Sequence, residues 1–121
     1  MKRDMDLVRA IFLAMEEHSE GFAPDVISVP GLSRDQVGYH IYLLGQAGLM
    51  EVAVTTTMSD QSPQAKPVNL TWGGHEFLAN AREDRNWLQA KKVIKGAGEV
   101  SFAVWQSVLV SVVKQHLGLA P

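Results

Sequence analysis

The sequence predicts an α+β fold, and three observations lead to this prediction. Residues 33–50 have the periodicity and both end signals of one amphipathic helix. Immediately afterwards the apolar residues Met50, Val52 and Val54 alternate, as in a strand with one buried face. Further apolar stripes with helical spacing precede and follow this pair. The expected order is therefore a helix, a central helix, a two-stranded ribbon and C-terminal helices.

The composition limits the classes of protein to which the chain can belong. With 121 residues, 46% of them hydrophobic, it is long enough for one compact core. It contains no cysteine, which excludes disulfides and thiolate metal sites. No run reaches the roughly 18 apolar residues of a membrane span. The start, MKRDMDLVRAIFLAM, lacks a signal-peptide cleavage site. We therefore expect a cytoplasmic protein without a membrane partner.

The charge is low and unevenly distributed. A formal net charge of −2 argues against strong non-specific nucleic-acid binding, because affinity for phosphates requires clustered Lys and Arg. Residues 82–95 nevertheless contain five cations, interleaved with Glu83 and Asp84: Arg82, Arg85, Lys91, Lys92 and Lys95. Two interpretations are open for this cluster, an ordinary charged helix face and a phosphate-binding patch.

The first helix is predicted over residues 4–19, where five apolar residues recur at helical spacing: Met5, Val8, Ile11, Phe12 and Met15. Residues 26–29, VISV, lie between prolines and predict a short strand that pairs with the later ribbon. Only Pro30, Gly31 and Leu32 then precede the central helix. An ordinary helix-turn-helix has a complete helix at this point, and here there is no room for one.

The central helix has recognisable end signals. Ser33 is the expected N-cap, with Asp35 adding favourable charge, and Gly48 occupies the place of a left-handed C-terminal cap. The ribbon arms are predicted over residues 50–57 and 67–72, with the polar run TMSDQSPQAK as the tip between them. A helix, a Gly-Leu turn and a ribbon in this order are typical of winged helix-turn-helix domains.

The C-terminal part is predicted to be helical. Thr71 is the expected cap of a helix over residues 72–84, followed by a short helix ending at Gly96 and a valine-rich helix over residues 100–117. A strand over part of the last segment is the alternative, because valine has low helix propensity. We expect the flanking tryptophans Trp72 and Trp87 to anchor the core rather than to stack on bases.

The predicted architecture is a winged helix-turn-helix-like domain, residues 1–85, with a helical C-terminal extension, residues 86–121. The extension packs either on its own domain or on a second copy, and in a homodimer its interface would include Trp105, Leu109 and Val113. The predicted core consists of Val8, Ile11, Phe12, Met15, Val37, Ile41, Leu44, Leu49, Leu70, Phe77 and Leu78.

A family resemblance supports this fold. MKRDMDLVRAIFLAMEEH, VGYHIYLLGQAGLM and NLTWGGHEFLANARED together resemble an uncharacterised family of short bacterial and phage-encoded proteins. That family is known only as a domain of unknown function with a winged-helix-like fold, so the resemblance implies a fold and no activity. The run V-x-Y-H-x-x-L-L-x-x-A-G-L is also similar to the recognition helix of winged-helix transcription regulators, which implies DNA-facing positions along residues 34–40.

Two functions remain as hypotheses, and neither is enzymatic. No nucleophile–base pair, metal-ligand spacing or phosphate loop assembles in the sequence, so we expect no catalysis, metal or cofactor. The first hypothesis is a phage- or prophage-derived regulator that binds duplex DNA through five residues: Arg34, Gln36, Tyr39, His40 and Lys66. Alternatively, the four residues of the central helix form its hydrated face, with His40 hydrogen-bonded to a neighbour, and Lys66 lies in a solvated loop. The second hypothesis is then a non-catalytic protein–protein interaction module on the same scaffold.

Overall fold

The computed structural model describes residues 1–18, 21–24 and 27–119. Within these residues the chain has a mixed α+β fold with five helices and one two-stranded antiparallel sheet. The predicted α+β class is thereby confirmed, as is the order of a helix, the central helix, the ribbon and the C-terminal helices. The elements are α1 (Met5–Glu16), α2 (Arg34–Gln46), β1 (Met50–Val54), β2 (Ala65–Leu70), α3 (Trp72–Ala81), α4 (Asp84–Lys95) and α5 (Phe102–His116).

The chain forms two compact units, the N-terminal unit Met1–Glu76 and the C-terminal unit Phe77–Pro121. The division falls within α3, upstream of the boundary predicted after residue 85. The two units differ in charge. The N-terminal unit contains five Lys and Arg against ten Asp and Glu, whereas the C-terminal unit contains six against three. The acidic character of the whole chain therefore comes from its N-terminal unit.

The ends of α2 are fixed as the sequence predicts. The Ser33 hydroxyl accepts a hydrogen bond from the Gln36 amide at 3.1 Å, and the Gln36 side-chain oxygen accepts from the Ser33 amide at 2.9 Å. This reciprocal capping box satisfies two amides of the first turn. At the other end Gly48 has a φ of +75°, and the Leu49 amide donates back to Leu44 at 3.1 Å. This is a Schellman cap, which favours glycine at the left-handed position.

The ribbon pairs Met50 with Leu70 and Val54 with Ala65, with an irregularity in register after Glu51. The strand predicted over residues 26–29 is wrong for its described part, since residues 27–29 form no strand; Val26 lies outside the described residues. The chain instead contacts β2 earlier, through a bridge between Phe22 and Asn69 and an Ala23 amide that donates to Val68 at 2.9 Å. Pro24 has no amide hydrogen to extend this pairing.

The predicted core is buried except for Leu70, which is half-buried. The expectation for Trp72 is wrong, because its side chain is 81% exposed at the start of α3. In the first turn of α3 the residue that faces inward is Gly74, where a Cβ would lie 2.0 Å from the backbone oxygen of Leu49. The Thr71 hydroxyl caps the helix by accepting from the Gly74 amide at 3.1 Å, and it donates to the Gly48 carbonyl at 2.7 Å.

The C-terminal unit is built on aromatic contacts. Trp87 is buried, as predicted, and stacks on Trp105 with ring centroids 4.6 Å apart and planes inclined by 20°. Phe77 meets the edge of Trp87 at 6.4 Å. The last segment is helical from Phe102 to His116, so the alternative of a strand there is excluded. None of the helices in the described residues is long and apolar enough to cross a membrane.

Candidate functional site

The outward face of α2 is the first candidate surface. Asp35, Tyr39, Tyr42 and Gln46 are spaced four, three and four residues apart, which places them on one side of the helix. Asp35 and Gln46 are exposed and the two tyrosines are half-buried. The Gln46 side-chain amide donates to the Tyr42 hydroxyl at 3.2 Å. Along this stripe α2 presents a carboxylate and two phenols but no cation, which is unfavourable for contact with phosphates.

His40 does not lie on that face, and the structure corrects its expected role in reading DNA. It is only 1% exposed. Its Nε2 accepts a hydrogen bond from the Asp4 amide at 2.8 Å, so its Nδ1 carries the proton and donates to the Gln36 carbonyl at 2.7 Å. Both ring nitrogens are occupied, and His40 joins the start of α1 to α2. The alternative interpretation, a hydrogen-bonded core histidine, describes what the structure contains.

The remaining DNA-facing candidates are placed as follows. Gln36 uses its side-chain oxygen in the capping box, and Tyr39 lies edge-on to the His40 ring at 6.0 Å. Arg34 and Lys66 are exposed and line the same cleft of about 440 Å³ between α2, β2 and residues 27–32, which we name the α2–β2 cleft. The structure therefore brings these two cations, one from each element, to one cavity.

Gln64 supports this cleft, and sequence reasoning missed it because a glutamine in a polar loop gives no signal of burial. It is 5% exposed, and its side-chain amide donates to the Asp35 carbonyl at 3.1 Å and the Ser62 hydroxyl at 3.0 Å. It rests against Gly38, where a Cβ would lie 1.9 Å from its side-chain oxygen. Glycine at this position therefore lets the ribbon approach α2 closely.

The C-terminal unit holds a second candidate surface, a groove of about 670 Å³ along α4, which we name the α4 groove. Its lining combines apolar side chains with four of the five cations noted in the sequence: Arg85, Leu88, Gln89, Lys91, Lys92, Ile94, Lys95 and Trp105. Leu88 is 60% exposed on it, whereas Ile94 and Trp105 are buried. Lys92 and Lys95 also lie in the last turn of α4, where positive charge stabilises the helix dipole.

The residues expected at a dimer interface are largely unavailable. Trp105 is stacked on Trp87 and 8% exposed, and Leu109 is fully buried. Val113 is half-buried. The small exposed part of Trp105 lines the α4 groove. A second copy could reach Leu109 only if the helix were unpacked from its own unit, so the structure corrects this expectation for Leu109. The reason is that α5 buries its widest apolar side within the chain itself.

The histidines do not form a metal site in the described residues. No group of three or more His, Asp or Glu side chains there is arranged to hold a metal ion. His116 bonds Asn86 through Nδ1, and His40 is used as described above.

Comparison with known proteins identifies the family. A family model described as "Hypothetical protein (DUF2513)" matches residues 2–100. The chain belongs to this family. It is also 35% identical over 121 residues to an uncharacterised protein of Haemophilus influenzae, with 97% of this chain and 99% of that relative covered. No solved structure matches the chain significantly. The resemblance noted in the sequence to a domain of unknown function is confirmed.

Proposed function

We propose that this DUF2513 protein is a non-catalytic, cytoplasmic protein-interaction module whose N-terminal unit is a winged-helix-like scaffold. Its α4 groove would bind an acidic, amphipathic segment of a partner protein. The observation on which the proposal rests is the combination of an apolar floor and a cationic rim in one groove. The scaffold is inferred from the order α1, the Phe22–Asn69 bridge, α2 and the ribbon.

The chemistry of the groove favours an acidic peptide over a nucleic acid. Leu88 and Trp105 offer an apolar surface, and covering this surface with another apolar surface is favourable. Arg85, Lys92 and Lys95 are exposed beside it and would face carboxylates on the polar side of the same segment. A phosphate backbone would satisfy the cations but leave the apolar floor uncovered.

The N-terminal unit supports the same preference. It contains ten Asp and Glu against five Lys and Arg, so its net negative charge repels duplex DNA. Of the DNA-facing candidates on α2, Arg34 alone is an exposed cation, since His40 is buried and Gln36 is engaged in the capping box. A recognition helix usually supplies several base or phosphate contacts.

The proposal is tested by fluorescence polarisation with the full chain. The probe is a labelled synthetic peptide that forms an amphipathic helix, with leucines on one face and glutamates on the other. We expect saturable binding that weakens as salt is raised, because exposed charges are screened. The double variant Lys92→Glu/Lys95→Glu should lower the affinity at least about tenfold, since like charges then meet across the interface.

Matched controls separate groove binding from general attraction. Lys114→Glu changes the same charge at an exposed position of α5 outside the groove and should leave the affinity nearly unchanged. Leu88→Ser should weaken binding without altering charge. Duplex DNA that displaces the peptide at lower concentration than unlabelled peptide itself would contradict the proposal, as would equal binding by a leucine-free peptide of the same charge.

A second candidate is duplex DNA binding by a phage-derived regulator, and one observation favours it. Arg34 of α2 and Lys66 of β2, two of the DNA-facing candidates, line the same cleft. This candidate predicts that Arg34→Ala weakens duplex binding and reduces its dependence on salt. Anisotropy titrations with random duplex DNA at two salt concentrations test it, and unchanged binding by Arg34→Ala would refute this interface.

A further inference from the structure

Between residues 10 and 76 the sequence contains only two Lys or Arg residues, Arg34 and Lys66, and both line the α2–β2 cleft. They come from different elements, the first turn of α2 and the second residue of β2. In the described part of the chain neither side chain forms an ion pair or a hydrogen bond, and no acidic side chain lines the cleft. Among the described residues, this cavity of an acidic unit is therefore lined by two cations and by no carboxylate.

The rest of the lining is suited to a small organic molecule. The walls are mainly apolar and include Val37 and Ile41 of α2 and Ile27, Val29 and Leu32 of the preceding segment. The hydroxyls of Ser28 and Thr55 lie among them. The volume of about 440 Å³ falls in the range of roughly 300–1,000 Å³ that small-molecule sites occupy. Such sites combine apolar walls with a few polar groups that orient the ligand.

We propose that the α2–β2 cleft is a binding site for a small organic anion, a carboxylate with an apolar body. The carboxylate would lie between Arg34 and Lys66, and the body would cover the wall formed by Val37 and Ile41. The buried Gln64 side chain lines the cleft and ties the segment before β2 to α2, since its amide donates to the Asp35 carbonyl at 3.1 Å. This inference does not depend on the proposed function, because it concerns residues of the other unit.

The test uses octanoate as the probe, with octanol and octylamine as molecules of matched length and different charge. Binding to the isotopically labelled full chain is followed by two-dimensional NMR. We expect saturable shifts at the amides of Val37, Gly38, Thr55 and Lys66 with octanoate. Octylamine should bind at least about tenfold more weakly, because its charge is repelled by both cations. Equal binding of all three molecules would overturn the proposal.

Variants assign the binding to this cleft. Arg34→Gln and Lys66→Gln should each weaken octanoate binding by about tenfold, because each removes one charge-assisted contact. Lys114→Gln, at an exposed position of α5 outside both the α2–β2 cleft and the α4 groove, is the matched control and should change nothing. Ser28→Phe keeps both cations and fills the cleft from an exposed position, so it should abolish binding. Octanoate shifts that are lost in Lys92→Gln but unchanged in Arg34→Gln would place the binding in the α4 groove and refute the proposal.

Duplex DNA is the remaining arm of this experiment. If random duplex produces saturable shifts at the same amides and octanoate produces none, the two cations are phosphate contacts and the small-molecule site does not exist. If octanoate binds and the acidic amphipathic peptide does not, the proposed protein-binding function is refuted and the assignment of the α2–β2 cleft is supported.

Discussion

Replacement of Gly38 by alanine tests how α2 and the ribbon are held together. The added Cβ would lie 1.9 Å from the side-chain oxygen of Gln64 and 2.8 Å from Cδ of the same side-chain amide. Alanine improves helix propensity by about 0.8–1.0 kcal/mol. Against this, displacing Gln64 removes two hydrogen bonds of about 0.5–1.5 kcal/mol each and overpacks the site by about 1–3 kcal/mol. We therefore expect Gly38→Ala to destabilise the protein by about 1–5 kcal/mol.

The sign of this effect should reverse when the obstacle is removed. In a Gln64→Ala background, Gly38→Ala should stabilise by about 0.5–1 kcal/mol, because only the propensity gain remains. Free energies of unfolding come from urea titrations followed by far-UV circular dichroism. Gly96→Ala is the control: φ there is −68° and no atom lies within 4 Å of the added carbon, so no penalty is expected. The same destabilisation in both backgrounds would refute the reasoning.

Three further predictions concern packing. His40→Ala should lower the free energy of unfolding by about 2–4 kcal/mol, because it leaves a cavity and removes the acceptor of the N-cap amide of α1. Urea titration measures this loss, and a value below about half a kcal/mol would contradict the prediction. Gly74→Ala should lower the stability more than Gly38→Ala, because its Cβ would meet the Leu49 backbone rather than a side chain that can move. Thermal melts in which Gly38→Ala has the lower melting temperature would contradict this prediction. Trp105→Ala should cost about 3–5 kcal/mol and remove the near-UV dichroism of the stacked indoles, and an unchanged near-UV spectrum would disprove the stack.

The elements were predictable where local chemistry decides them. Ser33, Gly48 and Thr71 are cap residues in sequence and in structure, because the unpaired groups at helix ends select these residue types locally. The apolar stripe of α1 likewise reports burial, since one face of an amphipathic helix must be covered. These signals are complete within a few residues and need no knowledge of the partner surface.

Features that depend on distant contacts were not predictable in the same way. His40 has the spacing of a surface residue in the recognition-helix pattern, and only the position of the Asp4 amide shows that it is internal. The size of Trp72 predicts a core position, but the residue of its turn that faces inward is Gly74. There the Leu49 backbone leaves no space for a side chain. Gly38 is a similar case, because the need for glycine there arises from contact with Gln64, which is distant in sequence.

The candidate sites were predictable in part. The cationic cluster of residues 82–95 was visible in the sequence, but the apolar floor that makes it a groove depends on Trp105 from α5. Arg34 and Lys66 were singled out separately, and their convergence on one cleft follows from the packing of α2 against the ribbon. Charge can be read from composition, whereas the cavity in which it acts depends on the fold.

The most direct test of the proposed recognition surface is NMR mapping of the labelled full chain with the acidic amphipathic peptide. We expect shift changes that are concentrated between Arg85 and Lys95 and at the indole N–H of Trp105, and that are lost in Lys92→Glu/Lys95→Glu. Changes confined to α2 and the ribbon, or no changes at saturating peptide, would contradict the assignment of the α4 groove as the site of partner recognition.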